Sequence, residues 1–114
     1  MTKPMRDLVV TKISQVFPDG DVAGNLAILD RYRDTERDRV HLAILKLCDE
    51  EGKADPAGYV DAANRDFRDV LMWAEAPNQA KLIACCDAGL RAEITEQDRT
   101  QYREWLDKRW RQIT

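Results

Sequence analysis

Asp38 and His41 stand three residues apart in the segment DRVH. On a helix that spacing puts a carboxylate and an imidazole one turn apart, and in bundle proteins it forms half of a two-metal site. The other half needs a second acid-x-x-His pair, and the chain has a single histidine. Ligand counting therefore assigns no metal and no cofactor. His41 falls instead beside Ile44 and Cys48 at the edge of an apolar helix face, with Asp38 placed to charge or satisfy it.

Thiol chemistry meets a similar obstacle. A Cys–His nucleophile pair needs hydrogen-bond reach, whereas His41 and Cys48 lie two turns apart, about 10 Å along a helix axis at ~1.5 Å per residue. Cys85 and Cys86 are vicinal within an apolar run, the habit of buried, inert thiols. Three cysteines, two of them adjacent, make no disulfide framework. They read as reduced thiols of a cytoplasmic protein. A small enzyme or ligand-binding bundle, with a pocket assembled near His41 and Cys48, is the competing reading; nothing in the sequence names its reaction.

The carboxylates Asp61, Asp66, Asp69 and Glu75 suggest acid–base work until their neighbours are considered. Arg65 follows Asp61 by four residues and precedes Asp69 by four, which predicts a ladder of surface ion pairs on one helix. Near the other end, Arg99, Arg103, Lys108, Arg109 and Arg111 interleave with Tyr102, Trp105 and Trp110, a composition suited to nucleic acid. Basic residues toward a helix C-terminus also answer its dipole, and the whole chain is acidic. Nucleic-acid binding ranks third among the readings.

One constellation leaves a surface that needs a cover. Between Asp55 and Ala76, positions Val60, Ala63, Phe67, Val70, Leu71 and Ala74 share a sector and predict a core stripe. Ala62, Met72 and Trp73 fall on the opposite side, among Arg65, Asp66 and Asp69. The first expectation is that helix six or the segment Gln79–Asp87 packs over this side within the chain; the second is a protein partner, since Trp and Met ringed by charge is the composition of an interface centre. Across a twofold axis, Arg65 of one copy would face Asp66 or Asp69 of another.

The elements that must position these residues are helices. The chain has 114 residues, 34% charged and 44% hydrophobic, with five Gly and four Pro, and 21 acidic against 18 basic side chains leave a net charge of -3. That describes one helical domain with short connections and no field to attract polyanions. The opening MTKPMRDLVVTK reads as neither a leader nor an anchor, and no run approaches the ~18 apolar residues that span a bilayer. No membrane role is expected.

Apolar spacing predicts helix one over Met5–Phe17, closed by Pro18, and a short helix two behind Asp21 as N-cap. Thr35 and Asp38 resemble a capping box for helix three, which Gly52 stops. Seven of the nine residues from Val40 to Cys48 are apolar and wrap most of the helix, so it belongs at the centre. Asp55-Pro56 starts helix four and Pro77 limits it. A short helix five is expected over Gln79–Asp87, ended by Gly89. Helix six is expected behind Thr95-Glu96-Gln97-Asp98, with Ile94 as a staple and Tyr102, Leu106, Trp110 and Ile113 as its stripe.

The segments RVHLAILKL (Arg39–Leu47) and AANRDFRDVLMWAEAP (Ala62–Pro77), and more weakly LAILDRY (Leu26–Tyr32) and QYREWL (Gln101–Leu106), resemble a group of small bacterial proteins. These share R-V-x-L-A-I-L-K-L and R-D-[FY]-R-D-V-L-x-W-A-E-x-P. The resemblance implies an all-helical bacterial protein and transfers no catalytic residue. The expectation is an all-α bundle of five or six short helices, most simply a protein–protein interaction module that self-associates.

Overall fold

The computed structural model describes residues 5–52, 55–81 and 88–107. They form six helices: α1 (Met5–Val16), α2 (Val22–Leu29), α3 (Arg37–Glu50), α4 (Ala57–Glu75), α5 (Pro77–Lys81) and α6 (Ala88–Asp107). Among the described residues there is no strand, so the chain is an all-α bundle.

Helix α3 is the spine. All nine residues from Val40 to Cys48 are buried, including His41 and Lys46. A helix apolar on most of its circumference is stable only when other elements surround it, and α3 packs along both α1 and α4. From α1 come Val9, Ile13 and Val16, spaced four and three residues apart on one face. From α4 come Val60, Ala63, Val70, Leu71 and Ala74. Helix α2 bridges α1 and α4 and contributes Leu29, while α5 and α6 pack together against α4.

Local chemistry explains the boundaries. Asp21 is the N-cap of α2 through its carbonyl, which accepts the Asn25 N–H at 2.9 Å; its carboxylate makes no cap bond. The Asp55 carboxylate accepts the Ala57 N–H at 2.9 Å and so opens α4. Gly52, at φ 74°, ends α3 in the left-handed region where a missing Cβ costs nothing.

Four expectations need correction. The residue before α3 is Glu36, not Thr35, and it holds φ 57°, uncommon for a side chain with a Cβ. Thr35 is engaged elsewhere, its N–H on the Asp34 carboxylate and its carbonyl on the Tyr32 hydroxyl. Helix α5 spans only Pro77–Lys81 among the described residues; Cys85 and Cys86 lie outside them. Helix α6 begins at Ala88, so Gly89 sits in its first turn and Thr95–Asp98 in its middle. Lys108, Arg109, Trp110, Arg111 and Ile113 lie outside the described residues.

The fourth correction concerns α4, which is broken at Asp66 (φ -160°, ψ 102°). The Asp66 carboxylate accepts the Arg68 N–H at 3.0 Å, a helix cap placed inside what the sequence pattern predicts as one helix. Arg68 closes on the same carboxylate with Nε at 3.0 Å and Nη2 at 3.1 Å. Phe67 follows the break and is half-buried against Tyr32, ring centroids 6.5 Å apart, instead of lying in the core.

Candidate functional site

His41 is fully buried, and both ring nitrogens are engaged. Nε2 lies 3.0 Å from the Tyr32 carbonyl, which can only accept, so Nε2 carries the proton. Nδ1 then offers its lone pair to Arg6 Nη1 at 3.2 Å. The Arg6 fork continues to Asp38 at 2.7 Å and Asp30 at 3.3 Å. Asp38 therefore serves Arg6 rather than His41, and the expected Asp38–His41 pairing is replaced by an arginine between them. Burial pushes the imidazole below its ordinary pKa of 6.5, with the Arg6 charge acting the same way against the Tyr32 carbonyl and Asp30. This arrangement pins α1, the end of α2 and α3 together. It gives a ligand no approach to His41.

Cys48 is a free, buried thiol. Desolvation first, then the charges of Asp55, Glu51 and Asp49, push it up to about 12. A thiol held protonated at neutral pH is not a nucleophile. The pocket expected near His41 and Cys48 has no opening there, because neither residue has exposed surface. Among the described residues no three His, Cys, Asp or Glu side chains cluster closely enough to hold a metal ion.

The outer face of α4 divides. Met72 and Trp73 expose 47% and 43% of their surface, unusual for residues of their size. Asp69, one turn before Trp73, is exposed too. Trp73 and Ala62 line one open cleft of about 340 Å³ with Tyr59, Gly58, Glu51 and Asp55. Eleven residues would separate Ala62 from Trp73 by about 16 Å along an unbroken helix. The break at Asp66 lies between them, and a helical indole leans toward the preceding turn. Tyr59 is held in the wall by its hydroxyl, which donates to Glu51.

Arg65 and Asp66 line a different cavity, of about 420 Å³, at the break itself, opposite Tyr32 and Asp34. Among the described residues Arg65 makes no ion pair with Asp61 or Asp69, so the expected ladder does not form. Its geometry assumed an uninterrupted helix, and Asp66 takes Arg68 instead. That pairing holds the exposed Asp66 carboxyl below the usual carboxylate range.

The aromatic residues of α6 turn toward the bundle. Tyr102 and Trp105 stack on each other, centroids 5.9 Å apart, and the Trp105 indole N–H donates to Asp49 at 3.0 Å. The buried Lys12 ammonium sits 4.6 Å over the Trp105 ring, and donates to the Gln15 side chain at 2.9 Å and to the Trp105 carbonyl. Rings so engaged do not offer stacking platforms to bases. Asp98, 1% exposed, accepts four N–H bonds: backbone and side chain of Asn78 at 3.2 and 2.8 Å, and of Gln79 at 3.1 and 3.2 Å. It fastens α5 to α6. Arg39 holds both oxygens of Glu75, at 2.9 and 2.6 Å, and joins α3 to the end of α4. Neither link has a sequence signal, because each joins residues distant in the chain.

No family model, curated protein or solved structure matches the chain. Among the described residues no helix is long and apolar enough to cross a membrane.

Proposed function

We propose that this chain is a non-catalytic protein–protein interaction module that self-associates through the outer face of α4. The observation that carries the reading is the pair Met72 and Trp73, both large, apolar and more than two-fifths exposed, next to the cleft walled by Ala62 and Tyr59. Water against such a face is costly, and a second copy removes it. Asp69 stands on the same face, while Arg65 and Asp66, at the break, supply charge at its edge. A closed twofold contact is the simplest assembly for a surface that meets its own copy.

The reading places the protein in a bacterial cytoplasm and gives it no nucleic-acid or membrane partner. The experiment is light scattering on a sizing column, for wild type and Trp73→Ala. Removing a Trp from an interface centre costs on the order of 2 kcal/mol or more, roughly a thirtyfold weaker dimer. The expected result is a dimer that Trp73→Ala splits, with helical circular dichroism unchanged. A wild-type monomer at high micromolar concentration, or a variant that unfolds, overturns the proposal.

A further inference from the structure

The cleft beside Trp73 holds two carboxylates, Glu51 and Asp55, both exposed. Each accepts from a neutral donor, the Tyr59 hydroxyl for Glu51 and the Ala57 N–H for Asp55, and among the described residues neither pairs with a Lys or Arg. On the same face of α4, Arg65 is an exposed guanidinium that makes no ion pair among the described residues. We infer that in the self-associated protein Arg65 of one copy enters the cleft of the other, its guanidinium against Trp73 and facing Glu51 and Asp55. The inference rests on the proposed self-association and names the contact that sets its register.

Helical spacing puts both halves of this contact on one surface. Gly58, Ala62 and Arg65 stand four and three residues apart, all before the break at Asp66, so they form one outward stripe of α4. The cleft takes the first two positions and Arg65 the third. Within one chain the two stay apart: Arg65 lies eight residues, about 12 Å along the axis, from Ala57, whose N–H holds Asp55. A twofold axis on this face carries each Arg65 to the other copy's cleft and forms the contact twice, as a self-complementary surface requires. Arg68, also on α4, is committed to both oxygens of Asp66. Asp34, across the cavity at the break, is turned to Thr35, accepting from its N–H at 2.8 Å and its hydroxyl at 3.3 Å.

The chemistry of the cleft matches a guanidinium. Its aromatic walls are Tyr59 and Trp73, and Gly58 leaves room, since a Cβ there would meet no atom within 4 Å. A planar guanidinium stacks on an aromatic face while its N–H groups reach carboxylates at the edge. Glu51 is the C-cap of α3, where the negative end of the helix dipole adds to the attraction. The same charge is felt inside the fold: after burial, Asp55, Glu51 and Asp49 help push up the Cys48 thiol. One guanidinium and two carboxylates, each without a counter-charge in its own chain, are neutralised together when two copies meet.

The test is light scattering of the whole chain at stepped concentrations, with circular dichroism to check the fold. Arg65→Gln, at an exposed helical position, is expected to weaken the dimer about tenfold with helical content unchanged. Gly58→Gln, whose Cβ has open space in its own chain, should crowd the cleft and weaken the dimer similarly. Raising salt from about 50 to about 500 mM should weaken the wild-type dimer and leave that of Arg65→Gln unmoved. Charge exchange checks the pairing. Arg65→Glu and Glu51→Arg should each associate more weakly than Arg65→Gln, because each sets like charges face to face, whereas their mixture should recover as a heterodimer with one native and one reversed contact. Wild-type affinity in Arg65→Gln, or a mixture that associates no better than its separate parts, overturns the inference; if Trp73→Ala still splits that dimer, the proposed face stands. A wild-type monomer at high micromolar concentration overturns both.

Discussion

Acidifying the protein from pH 7.5 toward 5 tests the His41 arrangement directly. In the folded chain the ring is fully buried, donates from Nε2 to the Tyr32 carbonyl and accepts at Nδ1 from Arg6. A second proton would replace that acceptor with a donor facing the guanidinium 3.2 Å away, removing a hydrogen bond and adding a like charge. The folded pKa is accordingly below 6.5, while the unfolded chain titrates near 6.5. Between the two values the unfolded state holds a proton that the folded state lacks, so stability falls as pH falls through that window. Above 6.5 the group contributes no slope; below the folded pKa it contributes none again. One such group gives at most about 1.4 kcal/mol per pH unit. For a domain of about 5 to 15 kcal/mol, one unit of acidification then removes roughly a tenth to a quarter of the stability. Urea unfolding at half-unit pH steps measures it. His41→Gln keeps an amide donor and an amide acceptor but does not titrate, so its stability should be level across the window. Asp66 does not confuse the reading. Its carboxyl is depressed from 3.8, so the stability it contributes is lost only as pH falls below that value. A wild type equally stable at pH 7 and 5.5, or a slope that survives in His41→Gln, would falsify the account.

Asp98→Ala should cost about 2 to 4 kcal/mol, because four donors lose a buried acceptor, and should speed hydrogen exchange at the Asn78 and Gln79 amides; unchanged exchange there would show that α5 is held by other means. Ile44→Ala, at the fully buried spine, should cost about 2 to 5 kcal/mol, and Phe67→Ala at the half-buried break only about 1 to 3; the reverse order in urea melts would put Phe67 in the core. With Cys85 and Cys86 replaced by Ser, the remaining Cys48 should resist a thiol-specific disulfide reagent at neutral pH until urea unfolds the chain. Rapid labelling of the native protein would contradict its burial.

Much of the architecture is legible in residue order because helical periodicity and caps are local. The wrap of apolar residues from Val40 to Cys48 predicts a surrounded helix, and α3 is one. Asp55-Pro56, Gly52 and Pro77 mark ends that the chain adopts, each through a backbone constraint acting within a few residues. Met72 and Trp73 are placed on the outside of α4 by the same counting, and they are exposed. The start of α6 illustrates the opposite case. Thr95-Glu96-Gln97-Asp98 has the composition of a capping box, but Thr, Glu and Gln are also tolerated inside a helix, so composition cannot tell a first turn from a middle one. The break at Asp66 hides for a related reason: an Asp inside a periodic segment reads as surface until its carboxylate is seen on the Arg68 N–H.

By itself the order of residues determined which segments coil, which faces are apolar and which thiols and imidazole lack partners within their own helix. Tertiary packing alone decided that Arg6 comes between Asp38 and His41, and that Lys12 lies beneath Trp105. It also decided that Asp98 clasps α5 and that Trp73 meets Glu51 and Tyr59 around one cleft. The physical reason is range. Propensity, capping and amphipathicity act over a turn or two of chain, whereas the polarity of a site is set by side chains brought together from tens of residues away once the apolar faces have been buried.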